Sequence, residues 1–220
     1  MQIVYGGIAV IFLVGFIGFG VGSGLGGNFN VSELLGEGGG GKSYSGQIKE
    51  AQKKTKREPG NAAAWAALVQ AQLRQSSGSE YSNQSGVGFT SQGKKLLAQI
   101  QHNWERYLAL ETKNPNPALA KKMVLVLGEE GLNQPAAAVQ ALEISVSAEP
   151  SNRSLYALLA QYAYAADNVR QGDLAAEKAL ALTPKDEQAR LKGVFNALKK
   201  NAGHPNTTAA GEGSESIVGG

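Results

Sequence analysis

Residues 150–184 read PSNRSLYALLAQYAYAADNVRQGDLAAEKALALTP, and this stretch decides the fold. A polar turn with Pro stands at each end, and the 34 residues from Pro150 to Pro184 are long enough for two short helices. Upstream the same punctuation recurs. KREPGN carries Pro59, ALETKNPNP carries Pro115 and Pro117, and SVSAEPSN carries Pro150. Pro115 to Pro150 is 35 residues, and Pro59 to Pro115 is 56, one such period plus 22. A repeat of this length, with two helices per unit and Pro at the turn, marks a stacked array of helical hairpins rather than a single bundle.

The pattern resembles the tetratricopeptide repeat. With Pro184 set at position 32 of that repeat, the large aromatic position falls on Tyr156 and the Leu position on Leu159. The small positions fall on Ala160, Gly172 and Ala179. With Pro150 set the same way, Leu125, Ala138 and Leu142 match, and Lys122 departs from the aromatic position. Trp65 and Leu68 keep the aromatic spacing in a first, split repeat, whose second helix closes with Trp104, Tyr107, Ala109 and Leu110. The resemblance covers residues 59 to 184 and implies an all-α solenoid of about eight helices. It also implies a concave groove lined by the first helix of each pair. Carried over position by position, that groove is Gln70 and Arg74, then Met123, Leu127 and Glu130, then Gln161 and Tyr164. The Lys/Asn/Arg clamp that some members use for a C-terminal carboxylate is missing from these positions, which favours an apolar or mixed peptide surface.

Packing explains such a repeat. Small residues let the two helices of a unit touch, large ones fill the seams between units, and no unit buries its apolar face alone. GQIKEAQKKTKRE before Pro59 is expected as a leading half-repeat helix. KDEQARLKGVFNALKK is expected as a capping helix with Ala189, Val194, Phe195 and Leu198 on one stripe. The 22 surplus residues fall between the helices of the first repeat, at 76–93 and the positions next to them. A loop of that length is functional or disordered. Its large side chains, Tyr81 and Phe89, either reach over the groove to a partner or tether the loop to the scaffold.

Residues 3–22, IVYGGIAVIFLVGFIGFGVG, carry no charge over 20 positions, the length that crosses a hydrocarbon core. The run is long for a secretory signal, and no Lys or Arg precedes it, so residues 1–25 are expected to be an uncleaved single-pass anchor of the kind found in membrane-tethered bacterial tetratricopeptide proteins. Small residues at 22–27 leave cleavage open. Orientation is weakly set, because the first basic residue after the span is Lys42; a short N-terminus before a folded C-terminal domain favours an extracytoplasmic domain. Gly18 and Gly22 form a G-x-x-x-G pair that permits a homo-oligomer through the span. Residues 26–46 read as a linker. Within it Gly36–Ser43, GEGGGGKS, matches the phosphate-loop pattern with Lys42 in the basic position. No buried strand precedes it and no βαβ follows, so a flexible tether is the expectation and nucleotide binding a minor alternative.

Of the 29 glycines, 15 fall in residues 1–46, 4 in 76–93 and 5 in 201–220, leaving 5 in the helical stretches. The expected domain is therefore 47–200, with a disordered tail at 201–220. The net charge is only +3, so no nucleic-acid partner is expected, although five of the 21 basic residues fall in 49–57. No Cys is present, which excludes disulfides, thiol nucleophiles and Cys-ligated zinc. His102 and His204 lack neighbours at ligand or nucleophile spacing, and Glu129 with Glu130 read as a solvated helix end. No catalytic residue, metal or cofactor is expected. Together these features predict a membrane-anchored adaptor holding a partner protein or peptide, with a self-associating envelope scaffold as the alternative.

Overall fold

The computed structural model describes residues 44–83, 88–111 and 113–202. The expected span at 3–22, its Gly18/Gly22 pair, the Gly36–Ser43 motif and most of the tail lie outside them. Among the described residues no helix is long and apolar enough to cross a membrane.

The described chain is all-α. Its helices are α1 (Tyr44–Arg57), α2 (Ala62–Ser76), α3 (Ser91–Leu110) and α4 (Pro117–Leu127), then α5 (Pro135–Ala148), α6 (Arg153–Ala165), α7 (Val169–Ala181) and α8 (Lys185–Lys200). Local chemistry sets the starts. Asn61, Thr90, Asn116, Asn152 and Asn168 each accept a hydrogen bond from an N–H of the first turn, which satisfies donors with no helical partner. Pro117 and Pro135 occupy the first turns of α4 and α5, where their missing N–H costs nothing. α8 has no side-chain cap. Instead Asp186 and Glu187 stand in its first turn and Lys199 and Lys200 in its last, complementing the helix dipole.

Every helix packs on its neighbours in sequence, and α2 also touches α4 while α6 touches α8. Ion pairs link helices that pack together. Lys121 in the middle of α4 pairs with Glu149, the residue that follows α5. Arg153 at the start of α6 reaches Glu187 at the start of α8 at 2.8 Å. The turns inside the second and third hairpins use Asn133 (φ 51°) and Asp167 (φ 59°), residue types whose short polar side chains tolerate the left-handed region.

The main core runs from α2 to α8. Leu97, Ile100, Met123, Leu127, Leu142 and Leu155 are at most 1% exposed. Small residues permit the closest approaches, as the period requires. A Cβ on Gly172 would stand 2.5 Å from the Tyr164 ring, so only glycine lets that ring lie flat against α7. Ala160 and Ala179 are fully buried. α1 stands apart: Ile48 joins Leu68 and Ala71 of α2 in a separate small cluster, with Tyr44, Ala51 and Trp65 half-buried around it.

Candidate functional site

Of the expected groove residues, Met123, Leu127 and Tyr164 are core residues, 0%, 1% and 2% exposed. Their side chains are packed into the core rather than exposed. The reason is that short helices in a stack are covered on more than one side. α4, with eleven residues, buries six of them, and a large apolar side chain at a formal groove position is drawn inward rather than left in water. Tyr164 is held by more than area. Its hydroxyl donates to Asp173 at 2.9 Å, and Lys199 reaches the other carboxylate oxygen of Asp173 at 2.7 Å, which ties α6, α7 and α8 together. Burial, then this hydrogen bond to a carboxylate, pushes the Tyr164 hydroxyl far above its usual range. The Lys199 and Tyr164 hydrogen bonds hold Asp173 below the ordinary carboxylate range.

Glu130 is exposed at the α4–α5 turn, and Gln161 is half-buried on α6. Beside Glu130, loss of hydration and then the Glu130 charge raise the Glu129 carboxyl above its usual value. The Glu129 backbone also hydrogen-bonds to the Tyr162 hydroxyl, which burial pushes up to about 12. These acids sit on a tight turn and form no metal cluster: among the described residues no three His, Cys, Asp or Glu side chains come together as ligands.

The 76–93 segment takes the tethering role for its aromatics. Tyr81 is buried at 8% exposure, and its hydroxyl accepts from Gln75 at 2.7 Å. Phe89 packs half-buried against the main core. Ser82 and Phe89 form an antiparallel bridge, and the Thr90 N–H donates to the Tyr81 carbonyl at 2.9 Å. The first turn of α3 approaches so closely that a Cβ on Gly93 would collide with the Tyr81 carbonyl. Glycine at 93 was the available signal for this contact, and it reads in the sequence as one more loop residue.

The seam between α1 and α2 holds a groove of about 520 Å³ that brings together Gln70 and Arg74. Its floor and walls include Ala51, Ala67 and Ala71, whose methyl groups are too short to fill the space between the helices. Lys53, Lys54, Arg57 and Arg74 bring four positive charges to it, against Glu50 and Glu58. Both acids are engaged: Glu50 accepts from Lys53 at 3.2 Å and Glu58 accepts from Asn61 at 2.5 Å. Arg74 donates a long 3.4 Å hydrogen bond to Gln47 across the groove. The lining therefore offers guanidinium and ammonium donors, two amides and a narrow strip of methyl groups.

The groove residues of α1 were not foreseen, because the basic run at 49–57 reads as a solvated helix face. Only the packing of α1 on the Ala-rich face of α2 turns part of that run into a wall. No family model, no curated protein and no solved structure matches this chain.

Proposed function

We propose that the protein is a membrane-anchored interaction module of the tetratricopeptide type, which holds an acidic segment of a partner protein in the groove between α1 and α2. The observation that carries this reading is the charge and shape of that groove. A surplus of two positive charges lines an open groove of about 520 Å³, in which three alanines leave room between long charged and amide side chains. Charge-assisted hydrogen bonds from Arg and Lys to carboxylates are stronger than neutral ones, and Arg meets a carboxylate in a fixed two-pronged geometry. Supporting the repeat assignment are the sequential stacking of the helices and the small residues at their closest approaches. The uncharged run at 3–22 supports the anchor.

The test is a titration of the full-length, detergent-solubilised protein with a fluorescent peptide of alternating Glu and Ala. Binding should be saturable, weaker in high salt, and reduced about tenfold or more by Arg74→Glu with Lys54→Glu, because loss of two charge-assisted bonds is worth roughly 1.5 kcal/mol or more. The corresponding Lys/Ala peptide should not bind. Equal affinity for the two peptides would overturn the proposal.

A further inference from the structure

The groove uses one side of α1 and leaves another side unexplained. This 14-residue helix contains Lys49, Lys53, Lys54, Lys56 and Arg57 against one acid, Glu50, a net charge of +4. The whole chain carries only +3, so everything outside α1 sums to −1. Lys49, Lys53 and Lys56 follow i, i+4, i+7 spacing and share a face. That face is turned away from the stripe of Ile48, Ala51 and Thr55 that packs toward α2. All three lysines are exposed; Lys53 stands at the edge shared with the groove, and Lys49 and Lys56 lie outside it. Among the described residues, Lys53 is the α1 cation in an ion pair.

We infer that this face of α1 docks on an anionic lipid bilayer. The inference rests on the anchor reading above. If residues 3–22 span the membrane, α1, which begins at Tyr44, is the described helix nearest that span in the chain. α1 is thus the helix held nearest the headgroups, and it is also where the positive charge is. A nucleic acid fits less well, because the rest of the chain offers its phosphates no net positive surface. The apolar stripe of α1 is already spent on Leu68 and Ala71 of α2, so the helix cannot sink into the acyl region. Docking is therefore peripheral and electrostatic, reversed by salt as the screening length falls from about 10 Å at 0.1 M to about 3 Å at 1 M.

The chain has no Cys, so Gln52→Cys gives a single labelling site on α1 beside Lys49 and Lys56. The full-length labelled protein is reconstituted into phosphatidylcholine vesicles with or without phosphatidylglycerol, carrying an energy acceptor on some headgroups. Transfer should be high with phosphatidylglycerol, low without it, and lost in 1 M salt. At about fivefold per basic residue near an anionic surface, Lys49→Gln, Lys53→Gln and Lys56→Gln together should lower the docked-to-free ratio roughly a hundredfold. Lys94→Gln with Lys95→Gln on α3 should leave it unchanged. Equal transfer in both vesicles, or indifference to the three α1 substitutions, overturns the inference. So does retention of duplex RNA or an acidic peptide by this face with no response to phosphatidylglycerol. The anchor is judged separately by flotation. A chain that fails to float with neutral vesicles has no anchor, yet salt-sensitive flotation with phosphatidylglycerol alone would still support docking. Flotation with neither overturns both.

Discussion

The α6–α7 pair and the α1–α2 pair are both neighbours in sequence and have opposite seams. In α6–α7, the Tyr164 ring lies on Gly172 and its hydroxyl on Asp173, and Lys199 of α8 closes the end. In α1–α2, the helices meet through the small cluster of Ile48, Leu68 and Ala71 with Tyr44, Ala51 and Trp65 around it, and beside it lies the basic groove. The difference follows from what stands opposite the small residues. A glycine facing an aromatic ring makes a closed contact that holds helices together. The small side chains of Ala51, Ala67 and Ala71 leave a groove between α1 and α2 with charged side chains along it. The two seams therefore differ: one is closed by the Tyr164 ring and its hydrogen bonds, the other carries a groove.

The contrast can be broken most strongly from the stapled side. Leu155→Ala empties a fully buried position of α6 and should cost about 2–5 kcal/mol of unfolding free energy. Ile48→Ala should cost about 2 kcal/mol at most, because its cluster is small and near the surface. Denaturant melts of the two variants compare the seams directly, and equal losses would mean that α1 is as firmly integrated as α6.

Gly172→Ala comes next, with an expected cost of about 1–3 kcal/mol as the new methyl group displaces the Tyr164 ring. Ala67→Leu is the mirror experiment. It should fill the groove, leave the melting temperature unchanged or raised, and abolish binding of the acidic peptide.

Acid sensitivity is the smallest effect. Asp173 and Glu149 are both held below their ordinary values in the fold, Asp173 by Lys199 and Tyr164 and Glu149 by Lys121 and Asn152. A lowered carboxylate pKa stabilises the fold above the unfolded value and loses that contribution as the pH falls through the folded one. The melting difference between the wild type and the Asp173→Asn variant should therefore be present at neutral pH and vanish as the pH drops below the usual carboxylate range. Glu129 has the opposite sign. Its raised carboxyl opposes folding at neutral pH, so Glu129→Gln should be neutral or stabilising there.

Much of this plan is legible in the sequence, for a physical reason. Helix starts depend on local chemistry, so the Asn and Pro residues around 59–61, 115–117, 150–152 and 168 show where helices begin, and the small residues at 160, 172 and 179 show where they touch. The site is less legible because burial is a property of the stack. Met123 and Tyr164 occupy formal surface positions on single helices and vanish into contacts made by others. Tyr164 had a sequence signal in Gly172 and Asp173 eight and nine residues on. The groove had a weaker one, the Ala run of α2 beside the basic run of α1, which acquires meaning only when the two helices are set side by side.

The most direct test places a photocrosslinking amino acid at Gln70 or at Gln161 in the full-length protein in its native membranes. The account predicts a discrete adduct from Gln70 that disappears with Arg74→Glu, and none from Gln161. An adduct from Gln161, or one from Gln70 that survives Arg74→Glu, would contradict the assignment of the α1–α2 groove as the binding site.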